Sequence, residues 1–266
     1  MAAKKTASVH WPLAPKASGL NTDTNLLKLV AMVTMMIDHC GKMFFPQYNI
    51  MRIIGRIAFP IYAYCIAAGC VYSKDRFKYL MRIVLMGLVS QPLYANALAH
   101  TTNRMYAIQF TQDPVGAVVN YYVESFAHPS IMLTLALGLL VIWSIRDRQL
   151  IGTVALALLV WKIQGSIDYG WRGVLLIVLF YLFIEKWWLS LPVMLAYMVW
   201  WGMLYNTYHA FGLHFGTQFF AIMALPLIYI HTHSKLKINK WVFYLYYPAH
   251  LIIIILIQYA IQLAQA

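Results

Sequence analysis

At 266 residues, 62% hydrophobic and only 11% charged, the chain is too apolar for a soluble domain and reads as an integral membrane protein. The formal net charge of +12 does not point to nucleic acid, because no basic helix or aromatic RNA-binding signature accompanies it. Lysine and arginine instead gather in the cytoplasmic loops of polytopic proteins.

The chain begins with a polar segment, residues 1–24, that lacks an apolar core followed by a small-residue cleavage site, so no cleavable signal peptide is expected. From there the apolar runs are continuous and roughly 17–23 residues long, the length a helix needs to cross the hydrocarbon of a bilayer. They predict an all-α, polytopic transmembrane helical bundle of about nine spans. The spans fall near 25–45, 50–72, 77–98, 129–145, 149–164, 170–186, 187–206, 213–232 and 241–263. Residues 25–263 are expected to form one membrane domain behind a cytoplasmic N-terminal segment. The first helix has a capping signal in Asn21-Thr-Asp-Thr-Asn. The segment 99–128 is predicted as a long non-cytoplasmic loop carrying an amphipathic piece from Val115 to Ala127. Cys40, Cys65 and Cys70 all fall in predicted spans, an odd number that argues for small core residues and against a disulfide frame or a metal site.

Charge distribution sets the expected orientation. With the N-terminus inside, fourteen of the twenty basic residues lie in inner segments or at the inner end of the first helix, where Lys28 stands. Lys42, Arg52, Arg56, Arg104, Lys162 and Arg172 make up the outer six. That asymmetry predicts a cytoplasmic N-terminus and an external C-terminus.

Three spans carry titratable side chains in their apolar interior: Asp38 and His39 in the first, Arg56 in the second and His250 in the last. Such groups are costly in hydrocarbon and mark a functional site by default. At 1.5 Å of rise per residue, His39 lies roughly 21 Å from the inner end of its helix. Arg56 enters from the outer face to about the same level, and His250 lies one or two turns below. Asp168 and Tyr169 sit at the outer mouth of another span.

A histidine beside a carboxylate suits a general base, and a buried arginine suits an anionic ligand or a developing oxyanion. Neighbouring helix residues point about 100° apart, so Asp38 has the option of pairing with Arg56 or Arg52 and leaving His39 to the cavity. Each residue also has a structural alternative. Asp38 and Arg56 can be a helix-linking salt bridge, His250 a core histidine bonded to a carbonyl, and Arg52 an interfacial side chain reaching for water. Lys42 and Arg172 read as mouth charges. His128, His209, His214, His231 and His233 read as solvated.

The runs Leu27-Lys-Leu-Val-Ala-Met-Val-Thr-Met-Met-Ile-Asp-His, Gly55-Arg-Ile-Ala-Phe-Pro, Asp168-Tyr-Gly-Trp-Arg-Gly and Phe243-Tyr-Leu-Tyr-Tyr-Pro-Ala-His resemble the TraX family, in order and spacing, over about residues 25–260. Its founding member N-acetylates the N-terminal amine of F-type conjugative pilin. More distantly the family is similar to transmembrane acyltransferases that use cytoplasmic acetyl-CoA. The family's asparagine before the fourth helix has no counterpart where His128-Pro129-Ser130 stand.

The resemblance implies a multi-pass protein of the bacterial inner membrane that moves an acyl group from acetyl-CoA or another acyl-CoA to a peptide, pilin or glycan acceptor. His39 would be the catalytic base, supported by Asp38 and Arg56, with His250 as a further polar participant. Arg52, Asp168 and Tyr169 are candidates for the acceptor side. Lys74, Arg76, Lys78 and Arg82, with Lys235, Lys237 and Lys240, are candidates for the CoA phosphates. Besides membrane lipids, no nucleic-acid partner is expected, and a homodimer stays open. Two other classes compete: a proton-coupled secondary transporter relaying protons through Asp38, His39 and Arg56, and a non-enzymatic assembly factor for surface appendages.

Overall fold

The computed structural model describes residues 15–106, 108, 113–210 and 212–265. Lys4 and Lys5, counted above for orientation, and Gln112 of the predicted loop lie outside the described residues. The chain is mostly helical. α1 (Thr24–Met43) is followed by α2 (Asn49–Gly55), α3 (Ala58–Tyr72) and α4 (Arg76–Ala97). Two short helices, α5 (Asn103–Tyr106) and α6 (Pro114–Glu124), precede α7 (Ile131–Arg146), α8 (Leu150–Ile163), α9 (Gly170–Leu182) and α10 (Trp187–Gly202). A small antiparallel hairpin, β1 (Tyr208–Ala210) with β2 (Leu213–Phe215), leads into a 3-10 helix, Thr217–Ala224. The chain then continues through α11 (Leu225–Tyr229) and α12 (Lys240–Gln265).

Asp23 caps α1 through its side chain, which accepts from the Leu26 amide, so the start signal in the sequence is used. The same carboxylate accepts a 2.6 Å bond from the Ser234 amide. The bonds from Ser234 outweigh the effect of burial and hold its pKa below the usual carboxylate value. They tie the segment before α12 to the start of α1.

α3 is the central element. It packs against α1, α7 and α9, and its face from Ala58 through Cys70 is almost wholly buried. α12 packs along α4 and closes the other side of the chamber described below. α8 lies at the edge, with Leu150, Ile151, Val154 and Leu158 exposed along it. An apolar helix surface of this kind faces lipid in a membrane protein.

The break between α2 and α3 follows from Pro60. It has no N–H to offer the Arg56 carbonyl, and the ladder tightens there to three-residue bonds, Arg56 to Ile53 and Ile57 to Ile54.

Two stretches are long and apolar enough to cross a membrane, Asn49–Tyr72 and Lys240–Gln265. A third is added if the pair Pro114–Ala127 and Ile131–Arg146, bent by 64°, counts as one. About nine spans were expected, and length and composition do not support that number among the described residues. α1 and α4 have the length but carry Lys28, Asp38 and Lys42, and Arg76, Lys78 and Arg82, while α8 and α9 are short. The predicted helix 213–232 is also different: Gly212 at φ 75° turns the hairpin, and Gly216 precedes a 3-10 segment before α11. The amphipathic piece of the outer loop is a helix, α6, capped by Asp113 and carrying exposed Val115, Val118, Val119 and Val123 on its surface.

The segments with the inner positive charge meet at one end. Gly19 donates to the Ile184 carbonyl, Asn21 to the Ile228 carbonyl, Arg146 to the Cys70 carbonyl, and Arg76 pairs with Asp147.

Candidate functional site

Near the other end, the helices enclose a polar chamber of about 300 Å³. It is lined by residues from α1, α2, α3, α4, the turn before α9, and α12. Asp38, His39 and Lys42 enter from successive positions on the last turns of α1.

Asp38 does not hold His39. One carboxylate oxygen accepts from Arg52 and the other from Arg56, each at 2.7 Å, so a single buried anion is clamped by two guanidinium groups. Arg52 thus belongs to the site and is not an interfacial side chain. Among the described residues its hydrogen bonds use a single terminal nitrogen, to the Asp38 carbonyl and carboxylate, which leaves donors of the fork for a ligand. Gly55 makes the clamp possible, since a Cβ at this position would overlap the Asp38 side chain.

His39 pairs instead with His250, Nδ1 to Nε2 at 2.9 Å, with the rings stacked at 5.1 Å. His250 is fully buried, and its Nδ1 lies 3.0 Å from the Tyr246 carbonyl. A carbonyl only accepts, so that nitrogen carries the proton and Nε2 of neutral His250 is an acceptor. His39 must then donate from Nδ1, which leaves its own Nε2 with a free lone pair. The bonding pattern therefore makes His39 a base whose tautomer is set by His250, with Tyr246 setting His250 in turn. The one- or two-turn separation expected between the two histidines closes to a direct bond.

Asp168 and Tyr169 lie on the chamber wall. The turn Asp168-Tyr169-Gly170 requires two left-handed residues, Tyr169 at φ 61° and Gly170 at φ 55°. A non-glycine residue held this way costs on the order of 1–3 kcal/mol. The Tyr169 ring compensates by stacking on Phe59 at 4.0 Å, and Thr134 donates at 2.6 Å to the Asp168 carbonyl. The carboxylate of Asp168 accepts from the Tyr94 hydroxyl at 2.8 Å.

Lys42 is likewise a chamber residue, not a mouth charge. Its ammonium donates to the Leu98 carbonyl at 2.9 Å and lies 3.0 Å from His100 Nε2. His100 stacks on Tyr94 and lies 5.4 Å from the ring of His128. Tyr94, His100 and Tyr247, all lining residues, were missed in the sequence. The only signal was the polar set Gln91, Tyr94 and Asn96 on a helix that must bury one face. Among the described residues no cluster of three or more histidine, cysteine, aspartate or glutamate side chains is arranged to hold a metal ion.

The candidates for CoA phosphates divide. Arg76 is engaged with Asp147 at 2.6 Å and lies over Trp143, and Lys78 pairs with Asp75 at 3.1 Å. Lys74, Lys235 and Lys237 are exposed on loops. Lys240 lines a second cavity, which shares Tyr62 with the chamber.

A half-buried histidine oriented by a second one, an arginine-clamped aspartate and a strained Asp-Tyr-Gly turn, assembled among apolar helices, define a membrane protein with an internal reaction or binding chamber. The TraX protein family model matches residues 23–258, and the chain belongs to that family. It is 25% identical over 242 residues to a probable fimbrial assembly protein, FimC of serogroup H1, from Dichelobacter nodosus, covering 85% of this chain and 91% of that one. It is 30% identical over 141 residues to an uncharacterised protein of Rickettsia prowazekii (strain Madrid E). That match covers 51% of this chain and 53% of the relative. No solved structure matches.

Proposed function

We propose that the protein is an acyltransferase of the bacterial inner membrane that carries an acyl group from cytoplasmic acyl-CoA to an amine or hydroxyl of a peptide, pilin or glycan. The observation that carries this proposal is the His250-oriented lone pair of His39 facing a chamber that also holds an arginine-bound aspartate and Lys42. The acceptor nitrogen or oxygen bonds to the thioester carbonyl carbon as its proton passes to His39 Nε2. Arg52 and Lys42 offer N–H donors to the oxyanion. The C–S bond then breaks, and the His39 proton goes to the departing thiolate, giving free CoA thiol and the acylated acceptor. No covalent enzyme intermediate is required, since Cys65 and Cys70 do not line the chamber and Cys40 is not among its walls.

Asp168, carrying only the Tyr94 hydroxyl as a side-chain partner among the described residues, suits an N–H of the neutral acceptor amine. The fimbrial assembly relative supports a surface-appendage subunit as acceptor, and it is equally compatible with a non-enzymatic assembly role. Acyl transfer from radiolabelled acetyl-CoA by detergent-purified protein, with a panel of peptide and amino-sugar acceptors, separates the two. Acceptor-dependent release of CoA thiol is the expected result, and its absence across acceptors and acyl chain lengths returns the protein to the assembly class.

The orientation in this proposal puts the basic end in the cytoplasm. In intact cells an impermeant maleimide is expected to label Leu213→Cys on the hairpin and to leave Ser73→Cys unmodified. Labelling of Ser73→Cys from outside inverts the orientation.

A further inference from the structure

The second cavity, about 120 Å³, lies directly beneath the chamber, and the two share one lining residue, Tyr62. Each wall steps from one to the other within a turn or two. α1 gives Met35 to the chamber and Met32 to the inner cavity, α3 gives Phe59 and then Cys65, and α12 gives Tyr247 and then Tyr244. The inner cavity is mostly apolar but has cations at its rim. Lys28 and Lys240 line it, and the Arg82 guanidinium lies 5.7 Å from the ring centroid of Tyr244, one of its walls. None of the three is ion-paired among the described residues, and the buried Nε of Arg82 has no hydrogen-bond partner. Lys28 and Lys42 thus bracket a path of roughly 21 Å along α1. One end carries unpaired positive charge, the middle is narrow and apolar, and the other end is the histidine chamber.

We propose that the inner cavity holds the extended arm of the acyl-thioester donor. Its phosphates rest on Lys28, Arg82 and Lys240, and Tyr62 is the gate through which the acyl carbonyl reaches His39. This rests on the acyltransferase proposal above and names the donor's path within it. A donor with anionic phosphates at one end, a flexible arm and a reactive carbonyl at the other matches the order of these features. The Tyr62 hydroxyl makes no hydrogen bond among the described residues, so moving the ring costs no buried polar contact.

Cys65, on the inner wall one turn from Tyr62, is a native reporter. The rate of its modification by N-ethylmaleimide in the purified full-length protein is read by peptide mass, separately from Cys40 and Cys70. The probe is the S-ethyl thioether of CoA, which has no free thiol and transfers nothing. It is expected to slow Cys65 at least fivefold, with the probe concentration for half-maximal protection raised tenfold or more by 0.5 M salt or by Lys28→Ala with Lys240→Ala. Tyr62→Trp, which enlarges the gate, is expected to keep that protection within threefold while lowering kcat for transfer at least tenfold. An unchanged Cys65 rate overturns the donor site, as does equal protection by lysophosphatidylglycerol, which would make the cavity a lipid site. Wild-type transfer by Tyr62→Trp overturns the gate. Transfer that requires His39 without protection at Cys65 sinks this inference alone. Protection without any transfer sinks the proposed function and leaves the cavity assignment standing.

Discussion

Replacing His39 by alanine is expected to lower acyl transfer by about 10²–10⁴ at saturating donor, with protein yield and donor binding near wild type. The side chain is half-buried, lines the chamber and among the described residues has one hydrogen bond, to His250, so its removal leaves a single imidazole nitrogen unpaired. His250→Ala is expected to be impaired through the same proton. Without the acceptor at Nε2 of His250, nothing fixes which nitrogen of His39 is protonated, and the active tautomer is populated only in part. Turnover rates under saturating donor decide the matter. A His39→Ala protein that keeps half of wild-type turnover ends the catalytic-base assignment.

Asp38→Asn should show a different defect, in stability. Among the described residues Asp38 is the only carboxylate paired with Arg52 and Arg56, and it and Arg56 are almost out of solvent, with side chains 11% and 14% exposed. Breaking such a clamp typically costs about 3–5 kcal/mol, because the cations remain buried without their counter-ion. The lower part of that range applies here, since Arg52 is 32% exposed and can find water. Thermal unfolding in detergent should fall by several degrees while residual activity per folded molecule stays well above that of His39→Ala. Gly55→Ala should act in the same way without changing any charge, because its new Cβ occupies the space of the Asp38 carboxylate and forces α1 and α2 apart. If both variants melt with wild type, the clamp has no structural weight.

Much of the helical framework was readable from the sequence because long apolar runs have few alternatives, and eight of the nine expected helices begin within two residues of the observed ones. The Asp23 cap and the gathering of basic segments at one end were also readable. The partner of each polar residue was not. Asp38 and His39 are neighbours in sequence yet serve different groups, because a helix turns about 100° per residue and sends one side chain to α2 and the other to α12. His39 and His250 are 211 residues apart, and only packing of α1 beside α12 brings their rings together. Lys42 looked like a mouth charge because depth along one helix says nothing about which loop folds over its end; here the Leu98 carbonyl and His100 do. Thr217–Ala224 reads as continuous apolar helix, and the tight turn at Gly216 is visible only once the chain is folded back onto α10.

The hydrogen-bond chain behind His39 ends at the Tyr246 carbonyl, and that ending has a consequence for energy conservation. A path that conducts protons needs each member to receive on one side and release on the other, as a row of waters or carboxyls does. A backbone carbonyl receives and cannot release. Charge accepted by His39 therefore has no exit through His250 to the opposite face of the bilayer, and it returns to the side from which it came. The protein can keep a basic nitrogen in its chamber without a proton path running on behind it, and the same dead end weighs against proton-coupled transport through this pair.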